Sequence, residues 1–434
     1  MIITINKYNL KGKRLLIESS SEVGIDASVD IDMTNLSFFI GKVNSYIMDM
    51  FYLSAIVYGI DRAFDRYTYS LDGWSRKFDV TVKLENSELF SANADIINSM
   101  LSFLTGDFWN ITYDYVDRFE LEGTDIPELS EDFEQVNLFS GGMDSFIGAI
   151  DFLAGSHTSK LCLTSHYDKK MPGAKEDQEN SIQALDLYKN DFFHMPSVAI
   201  FPNTSREKTC RSRSFIFISM AALVAVYKNI NIVVPENGSV SLNFPLSPSR
   251  RAACSTRTTH VLFINKLKGV YDALGQHVEI YNPYETKTKG QMVHNCNNRR
   301  LLLNTLDNTN SCGKRNAKQH MSDPSASHCG RCMPCMYRRA SLVGLKDSTT
   351  YGDTFRQLYN DKGRRSDDFF AMLNYLRIDL TEDDIRKELR IAGLGLLPNI
   401  EEYVQLVKDT RAELKKMVSS AQDCDEVKRY LGLI

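Results

Sequence analysis

The chain has 434 residues, more than a single compact core usually holds, which indicates two or three domains. Apolar residues make up 43% and charged residues 24%, close to ordinary globular usage, so the composition excludes a disordered tether. A formal net charge of −4 excludes a chain-wide attraction to nucleic acid or to an anionic membrane, so any polyanion site must be local.

The sequence contains no stretch that is typical of a membrane span. Its longest strongly apolar run, Phe215–Tyr227, is much shorter than the roughly 20 residues that cross a bilayer. The N-terminal residues also lack the apolar core of an export signal. We therefore expect a cytoplasmic protein with no membrane partner and no nucleic acid as a direct ligand, in which most of the nine cysteines are thiols.

The N-terminal region combines short strands with an amphipathic helix. Alternating apolar residues predict strands at Arg14–Glu18, Phe78–Leu84 and Trp109–Tyr115. Apolar residues at helical spacing predict a helix within Asn86–Gly106, which the final glycine is placed to end. We therefore expect residues 1–130 to form an α+β accessory domain, with partner binding as its candidate role.

A change of pattern follows the acidic segment Glu120–Glu134, whose glycine and proline favour a linker. From 131 to 345, short apolar runs alternate with helical stretches. The runs are Gln135–Phe139, Leu161–His166, Ser197–Phe201, Ile230–Val234 and Val278–Tyr281, and the helical stretches lie near 143–155, 176–190, 212–228, 258–274 and 288–305. This alternation predicts an α/β domain with a doubly wound parallel sheet covered by helices.

The loop Ser140–Ser145, with the sequence Ser-Gly-Gly-Met-Asp-Ser, joins the first of these runs to the helical stretch after it. Two glycines let the backbone approach a phosphate, and the helix N-terminus offers free N–H groups. Ser140 and Ser145 can donate hydroxyl groups to phosphate oxygens, whereas Asp144 is suited to hold Mg²⁺ or to orient a nucleotide. The loop is neither GxxxxGK[ST] nor GxGxxG, so it predicts another kind of nucleotide loop. An ordinary glycine turn that caps a helix is the alternative.

Cations are concentrated after the third apolar run. Arg206, Lys208, Arg211 and Arg213 lie at the predicted carboxyl end of the sheet, where ligands of α/β proteins bind. We expect Arg211 or Arg213 to contact phosphate and the other cations to be solvated. The segment Glu236–Gly238 follows the fourth run and is a candidate to recognise a base or to hold a metal ion.

A run of three cysteines with the spacing C-x₂-C-x₂-C predicts a metal site. Zinc is favoured over iron–sulfur because the fourth cysteine followed by proline, which completes the ferredoxin run, is missing. A closed four-thiolate zinc has no open position, so its role would be structural. The predicted ligands are Cys329, Cys332, Cys335 and Cys312, with Cys296, His320 and His328 as alternatives to Cys312.

The C-terminal region, residues 346–434, predicts helices only. Thr381 and Asp384 form a capping box that opens a helix ending near Gly393. The segment Asn399–Ser420 is amphipathic and predicts a second, longer helix.

These motifs together resemble a known enzyme family. Ser140–Ser145 matches the SGGxDS signature of the PP-loop ATP pyrophosphatases, which transfer AMP from ATP to a carboxylate or similar oxygen. With Cys210–Ala222, Asn282–Lys289 and the cysteine run, it resembles the QueC-like 7-cyano-7-deazaguanine synthases over about 135–340. The long chain is more similar to QatC, the QueC-like component of bacterial Qat anti-phage systems. The resemblance implies a HUP-like sheet of the PP-loop type.

The resemblance also implies a reaction and its site residues. ATP adenylates the carboxylate of 7-carboxy-7-deazaguanine, and ammonia or an amine of a partner protein displaces AMP to give an amide, with a nitrile as a further product. The implied cofactors are ATP, Mg²⁺ and structural Zn²⁺, and the implied partners are other proteins of a defence system. Lys289 matches a family lysine that would neutralise pyrophosphate, with an ordinary surface lysine as the alternative. The implied catalytic residues are Asp144, Ser145, Arg213 and Lys289, and the implied nucleotide ligands are Ser140, Gly141, Gly142, Met143, Asp144, Ser145 and Arg211.

One departure from the family and two competing functions accompany this interpretation. The family's aspartate-rich stretch is not reproduced at Glu236–Gly238, which leaves the base-recognition residues open. A PP-loop tRNA-modifying thiolase would share the loop but would need catalytic cysteines or an iron–sulfur cluster. A non-catalytic nucleotide-binding scaffold of a defence complex is the other alternative, against which the intact Ser140, Asp144 and Ser145 argue.

Overall fold

The computed structural model describes residues 1–117, 126–171, 173–246, 257–314, 320–361, 363–422 and 424–434. The predicted linker Glu120–Glu134 therefore lies partly outside the described residues. Within the described ranges, no helix has both the length and the apolar character that crossing a bilayer requires.

The N-terminal segment forms strands and helices in irregular order. Its elements are β1 Ile2–Lys11, β2 Arg14–Ser21, β3 Val29–Asp32, α1 Ser45–Ala63, α2 Arg66–Tyr69, β4 Lys77–Leu84, α3 Ser87–Ala92, α4 Ala94–Thr105 and β5 Phe108–Tyr115. The predicted strands and helix are confirmed, although Asn93 divides the helical segment in two. Gly106 ends α4 in the left-handed conformation that glycine adopts most easily.

The middle segment shows the predicted alternation. Its elements are β6 Phe133–Leu138, α5 Met143–Leu153, β7 Lys160–Thr164, β8 His166–Tyr167, α6 Ala174–Gln183, β9 Phe192–His194, β10 Val198–Pro202, α7 Arg213–Lys228, β11 Asn231–Val233, α8 Gly238–Leu242, α9 Val261–Ala273, β12 Ile280–Tyr281, α10 Lys289–Asn295 and α11 Arg299–Asn304. The helix predicted near 288–305 is two helices, since the chain bends at Cys296.

Five of these strands form a wholly parallel sheet in the order β12-β11-β6-β7-β9. The chain starts in the centre at β6, moves outward through β7 and β9, and then returns to the other side of β6 through β11 and β12. This is a doubly wound, Rossmann-like arrangement. Its switch point lies between β6 and β11, where ligands of such sheets bind at the carboxyl ends of the strands.

A second, mixed sheet joins the two parts of the chain in the order β5-β4-β1-β2-β3-β10-β8. The expectation that Ser197–Phe201 belongs to the parallel sheet is wrong, because β10 pairs with β3 and β8 instead. The short strand β9 takes the place beside β7. The strands β8 and β10 continue β7 and β9 after short bends, which bring the mixed sheet to the carboxyl edge of the parallel one.

Two buried helices separate the sheets. The helix α7 packs on β6, β7 and β11, the helix α1 packs on β3 and β10, and the two helices contact each other. Their side chains belong to one continuous apolar core that includes both sheets. The opposite face of the parallel sheet is covered by α5, α10 and α11 in a separate apolar cluster. The Ser140–Ser145 loop therefore emerges from a rigid, fully packed layer.

The C-terminal segment is helical in its described part. Its helices are α12 Met333–Ser341, α13 Phe355–Asn360, α14 Asp367–Arg377, α15 Glu382–Ile391, α16 Ile400–Ser420 and α17 Asp425–Tyr430. The predicted capping box of Thr381 and Asp384 is confirmed at the start of α15. The predicted amphipathic helix is confirmed as α16, which packs on α8, α12 and α15.

Candidate functional site

The loop between β6 and α5 lies at the switch point and requires glycine. Gly141 has a φ of +78°, and a Cβ atom there would lie 2.8 Å from backbone atoms of Asp177 and Gln178. Both conditions exclude a side chain. Gly142 is the N-cap of α5, so the first-turn N–H groups of that helix point out of the loop. The backbone is thus shaped to receive an anion.

The two loop serines organise the loop itself. The Ser145 hydroxyl donates to the carbonyl oxygen of Gly142 at 2.9 Å and accepts from the Ser140 N–H at 3.3 Å. The Ser140 Oγ accepts from the Gly142 N–H at 3.3 Å. The structure therefore places both predicted serines in the loop, where they hold its shape.

Asp144 lies in the first turn of α5 and is the centre of a buried polar group. Its Oδ1 accepts from the Lys289 ammonium at 2.6 Å, and its Oδ2 accepts from Asn237 Nδ2 at 2.7 Å. Asp144 and Lys289 are 6% and 3% exposed, so their contact is nearly dry. Burial alone would raise the pKa of Asp144, but the Lys289 charge and these hydrogen bonds lower it to about 2.

Glu236 is a second carboxylate beside Asp144, at the carboxyl end of β11. Its Oε1 accepts from Asn237 Nδ2 at 3.3 Å, so one amide group links both acids. Burial and the neighbouring Asp144 charge hold the pKa of Glu236 well above its ordinary value. Two acids crowded around one lysine form an electrostatically unbalanced site, which a cation would stabilise.

The basic residues that the sequence singles out make different contacts in the structure. Arg211 is buried against the N-terminal segment, where its Nη1 donates to the Thr105 carbonyl at 3.3 Å and its guanidinium lies 4.3 Å from the Trp74 ring centre. Arg213 opens α7 and lies 5.3 Å from the Phe217 ring centre. Within the described ranges, its guanidinium has no hydrogen-bond or ion-pair partner. Arg213 is thus more available to a ligand than Arg211. The side chains of Arg206 and Lys208 are exposed, as expected.

The structure brings four cysteines together as a compact cluster: Cys312, Cys329, Cys332 and Cys335. Their sulfur atoms all lie within 4.8 Å of one another, and those of Cys329 and Cys335 are 3.8 Å apart. Tetrahedral zinc, with bonds of about 2.3 Å, places its sulfurs about 3.8 Å apart. The backbone N–H groups of Arg331 and Cys332 donate to the Cys329 sulfur. The cluster can hold a metal ion such as zinc.

Two of the alternatives to Cys312, Cys296 and His328, make contacts outside the cluster. Burial and the nearby Asp151 raise the pKa of the Cys296 thiol, which lies in the apolar cluster under α5. The Nε2 atom of His328 accepts from the Ser311 N–H at 3.2 Å. The cluster therefore takes its fourth thiol from the Asn310–Cys312 arm, as preferred from the sequence.

The Asn310–Cys312 arm also contacts the Ser140–Ser145 loop. The Asn310 N–H donates to the Gly141 carbonyl at 2.9 Å, and the Ser311 hydroxyl accepts from the Met143 N–H at 3.5 Å. Cys312 follows directly, with its sulfur accepting from the Cys329 N–H. The cysteine cluster and the loop are thus joined by three consecutive residues, so a metal in the cluster would help to fix the loop.

No protein-family model and no curated protein matches this chain. The site is therefore interpreted from its own residues and contacts. The parallel sheet and its switch point describe a Rossmann-like α/β protein, and the donors around the loop describe an anion site next to paired carboxylates.

Sequence reasoning missed two contributions to this site. The sequence makes Asn237 a candidate to recognise a base or to hold a metal ion, and the structure adds that its side-chain amide donates a hydrogen bond to Asp144. The C-terminal helix α16 contacts the site through Thr410 and Glu413, although it was expected only as a separate helical region. The only local signal was a threonine and a glutamate close to the apolar face of an amphipathic helix.

Proposed function

We propose that the chain uses ATP to adenylate a carboxylate, with release of pyrophosphate, on a PP-loop type of Rossmann-like sheet. The observation that carries this proposal is the Ser140–Ser145 loop at the switch point, with Asp144 held between Lys289 and Asn237. Such a loop binds phosphates through backbone N–H groups and leaves its aspartate free of the phosphate chain.

In the proposed reaction, a carboxylate oxygen of the acceptor attacks the α-phosphorus of ATP. The bond from that phosphorus to the bridging oxygen breaks, and pyrophosphate leaves with the electron pair. The loop N–H groups orient the phosphates, Lys289 offsets the charge of the leaving pyrophosphate, and Arg213 is available to a second anionic group. The buried ion pair with Asp144 holds the Lys289 ammonium beside the loop.

The residues around Asp144 also fit Mg²⁺, which travels with ATP and would neutralise phosphate charge when bound. Oδ2 of Asp144 accepts from both the side-chain amide and the backbone N–H of Asn237, whereas Oδ1 accepts from Lys289 and has a second lone pair. Together with Glu236 it forms a set of hard oxygen donors, the kind that Mg²⁺ prefers. The raised pKa of Glu236 supports this assignment, because a divalent cation would relieve the repulsion between the two acids.

The resemblance to QueC-like synthases supports a finer proposal for the substrates. The acceptor would be a 7-deazaguanine carboxylate, and the nitrogen that displaces AMP would come from ammonia or from an amine of a partner protein in an anti-phage system. The cysteine cluster would hold structural zinc, since four thiolates leave no open position for chemistry.

Three of the described cysteines outside the cluster favour this reaction over sulfur transfer by a thiolase. A thiolase needs a nucleophilic thiolate, whereas burial raises the pKa of Cys162, Cys210 and Cys296. The compact four-cysteine cluster also suits a single ion better than a multi-iron cluster, whose ligands must be spread more widely.

The deciding experiment measures AMP and pyrophosphate released from ATP with 7-carboxy-7-deazaguanine, with and without candidate partner proteins. We expect release by the wild type and at least about a 100-fold loss in Asp144→Ala, because the centre of the site is removed. Asp383→Ala, at an exposed carboxylate, is the matched control. Nucleotide binding without any AMP under all these conditions would refute the enzyme and favour the scaffold.

A further inference from the structure

The C-terminal helix α16 packs directly on the turn that carries Lys289. One oxygen of Glu413 accepts from the Thr288 hydroxyl, and the other accepts from the Gly290 N–H at 3.3 Å. These donors immediately precede and follow Lys289. The Thr288 hydroxyl also accepts from the Gln291 N–H in the capping box of α10. The carboxylate therefore binds both ends of the three-residue turn.

This close approach depends on the absence of a side chain at Gly290. A Cβ atom at that position would lie 2.6 Å from Cδ of Glu413, too close for the present arrangement. Gly290 has an ordinary helical backbone, so the glycine is needed for space and not for its φ angle. The sequence Thr-Lys-Gly thus suits a turn that receives a carboxylate from outside.

The same helix supports the other partner of Asp144. The Thr410 hydroxyl lies 2.6 Å from the Ser239 hydroxyl, and both groups are buried. Ser239 is two residues after Asn237, whose side-chain amide donates a hydrogen bond to Asp144. One side of α16 therefore contacts both segments that hold the central carboxylate, at positions three residues apart on the helix.

We propose that α16 is part of the nucleotide site and that Glu413 is a positioning residue for Lys289. Glu413 fixes the turn from Thr288 to Gly290, and the fixed turn directs the Lys289 ammonium at Asp144 and the phosphate loop. This inference rests on the proposed adenylation reaction for its effect on rate, whereas its effect on the turn is independent of that reaction. It gives the C-terminal region a direct role in the site.

The test compares Glu413→Gln and Glu413→Ala with Glu401→Gln, a control on the same helix whose carboxylate pairs with Arg386 at the surface. A carboxamide keeps one acceptor oxygen but presents an N–H group to the second donor, whereas alanine removes both contacts. We expect the AMP-forming kcat per folded molecule to decrease about tenfold in Glu413→Gln and up to about 100-fold in Glu413→Ala. The control should keep the wild-type rate.

A second measurement needs no substrate. Hydrogen–deuterium exchange of the backbone amides in 286–295 should become at least about tenfold faster in Glu413→Ala, with exchange in α5 unchanged. Gly290→Ala should give the same two effects, because its methyl group displaces the Glu413 carboxylate. In the Glu413→Ala background, Gly290→Ala should add little, since the two substitutions remove the same contact.

The outcomes separate the two proposals. Wild-type rate and wild-type exchange in folded Glu413→Ala would overturn the positioning role, as would additive effects of the two substitutions. If the wild type forms no AMP, the proposed reaction fails, and the exchange measurements still decide whether Glu413 holds the turn. If Glu413→Ala and Gly290→Ala unfold, hydrogen–deuterium exchange is measured in Glu413→Gln, which keeps one hydrogen bond. Wild-type exchange in that variant would overturn the positioning role.

Discussion

Two buried charge clusters in this molecule have opposite character. In the N-terminal segment, Arg76 donates to Asp61 at 2.6 Å and to Asp107 at 2.7 Å, and Arg66 donates to Asp107 at 2.7 Å. Two cations and two anions are thus balanced. At the loop, Asp144 and Glu236 share one cation, Lys289, among the residues that the structure describes.

The difference appears in the pKa directions. Burial alone would raise the pKa of Asp61, but Arg76 and Arg66 lower it, and the acid stays charged in a closed network. Among the described residues, Glu236 has no ion-pair partner of its own, and its pKa is raised by burial and by Asp144. Removing a member of a balanced network leaves a buried charge unpaired, whereas two crowded acids would be stabilised by an added cation.

The largest effect is expected from Arg76→Met in the balanced cluster. The substitution leaves Asp61 and Asp107 with too little positive charge, which should cost about 3 to 5 kcal/mol of unfolding free energy. Urea unfolding measures this loss, and Arg14→Met, at a half-exposed pair with Asp30, should lose about 1 kcal/mol or less. The AMP-forming rate per folded molecule should stay unchanged. If Arg76→Met lowered the rate as much as Asp144→Ala does, the claim that the two clusters have different roles would be wrong.

A smaller effect is expected from Cys312→Ser, which tests whether the cysteine cluster belongs with the loop. We expect the bound zinc to fall from about one per chain. The free energy of unfolding should decrease by about 2 to 3 kcal/mol, which is the effect of a metal site about 100-fold weaker. The arm Asn310–Cys312 should then release the loop, so nucleotide affinity should fall as well. Metal analysis and calorimetry measure both quantities, with Cys424→Ser as the control. Unchanged nucleotide affinity in a zinc-free variant would show that the cysteine cluster does not support the loop.

The last prediction concerns Glu236→Gln in the unbalanced cluster, whose effect on stability depends on pH. Because the folded-state pKa of Glu236 is raised, wild-type stability is lost as the pH rises above the ordinary glutamate value of 4.5. The glutamine variant lacks this loss, so its advantage should grow between pH 4 and pH 7 by at most about 1.4 kcal/mol per pH unit. Urea unfolding in EDTA measures the difference. An advantage that shrinks with rising pH would contradict the raised pKa.

Local patterns predicted the elements of this fold well, because the alternation of apolar runs and helices reflects burial on a sheet. They did not predict the partners of each strand. Ser197–Phe201 has the same apolar character as a strand of the parallel sheet, yet β10 pairs with β3. Strand partners are set by contacts between distant segments, which no local period records.

The candidate site divides in the same way. The Ser140–Ser145 loop, the cysteine run and Lys289 were visible as local motifs with recognisable chemistry. The different surroundings of Arg211 and Arg213 could not be predicted from the sequence, because the two arginines lie close together in the chain and differ only in their tertiary contacts.

The sequence by itself determined the loop backbone, because glycines at 141 and 142 and a following helix are local requirements of an anion site. It also determined the cysteine spacing that one metal ion needs. Only the tertiary structure decided that Lys289 and Asn237 meet on Asp144, and that Glu413 holds the Lys289 turn. Those contacts join segments more than 90 residues apart, so they depend on how the sheet, its switch point and the C-terminal helix pack together.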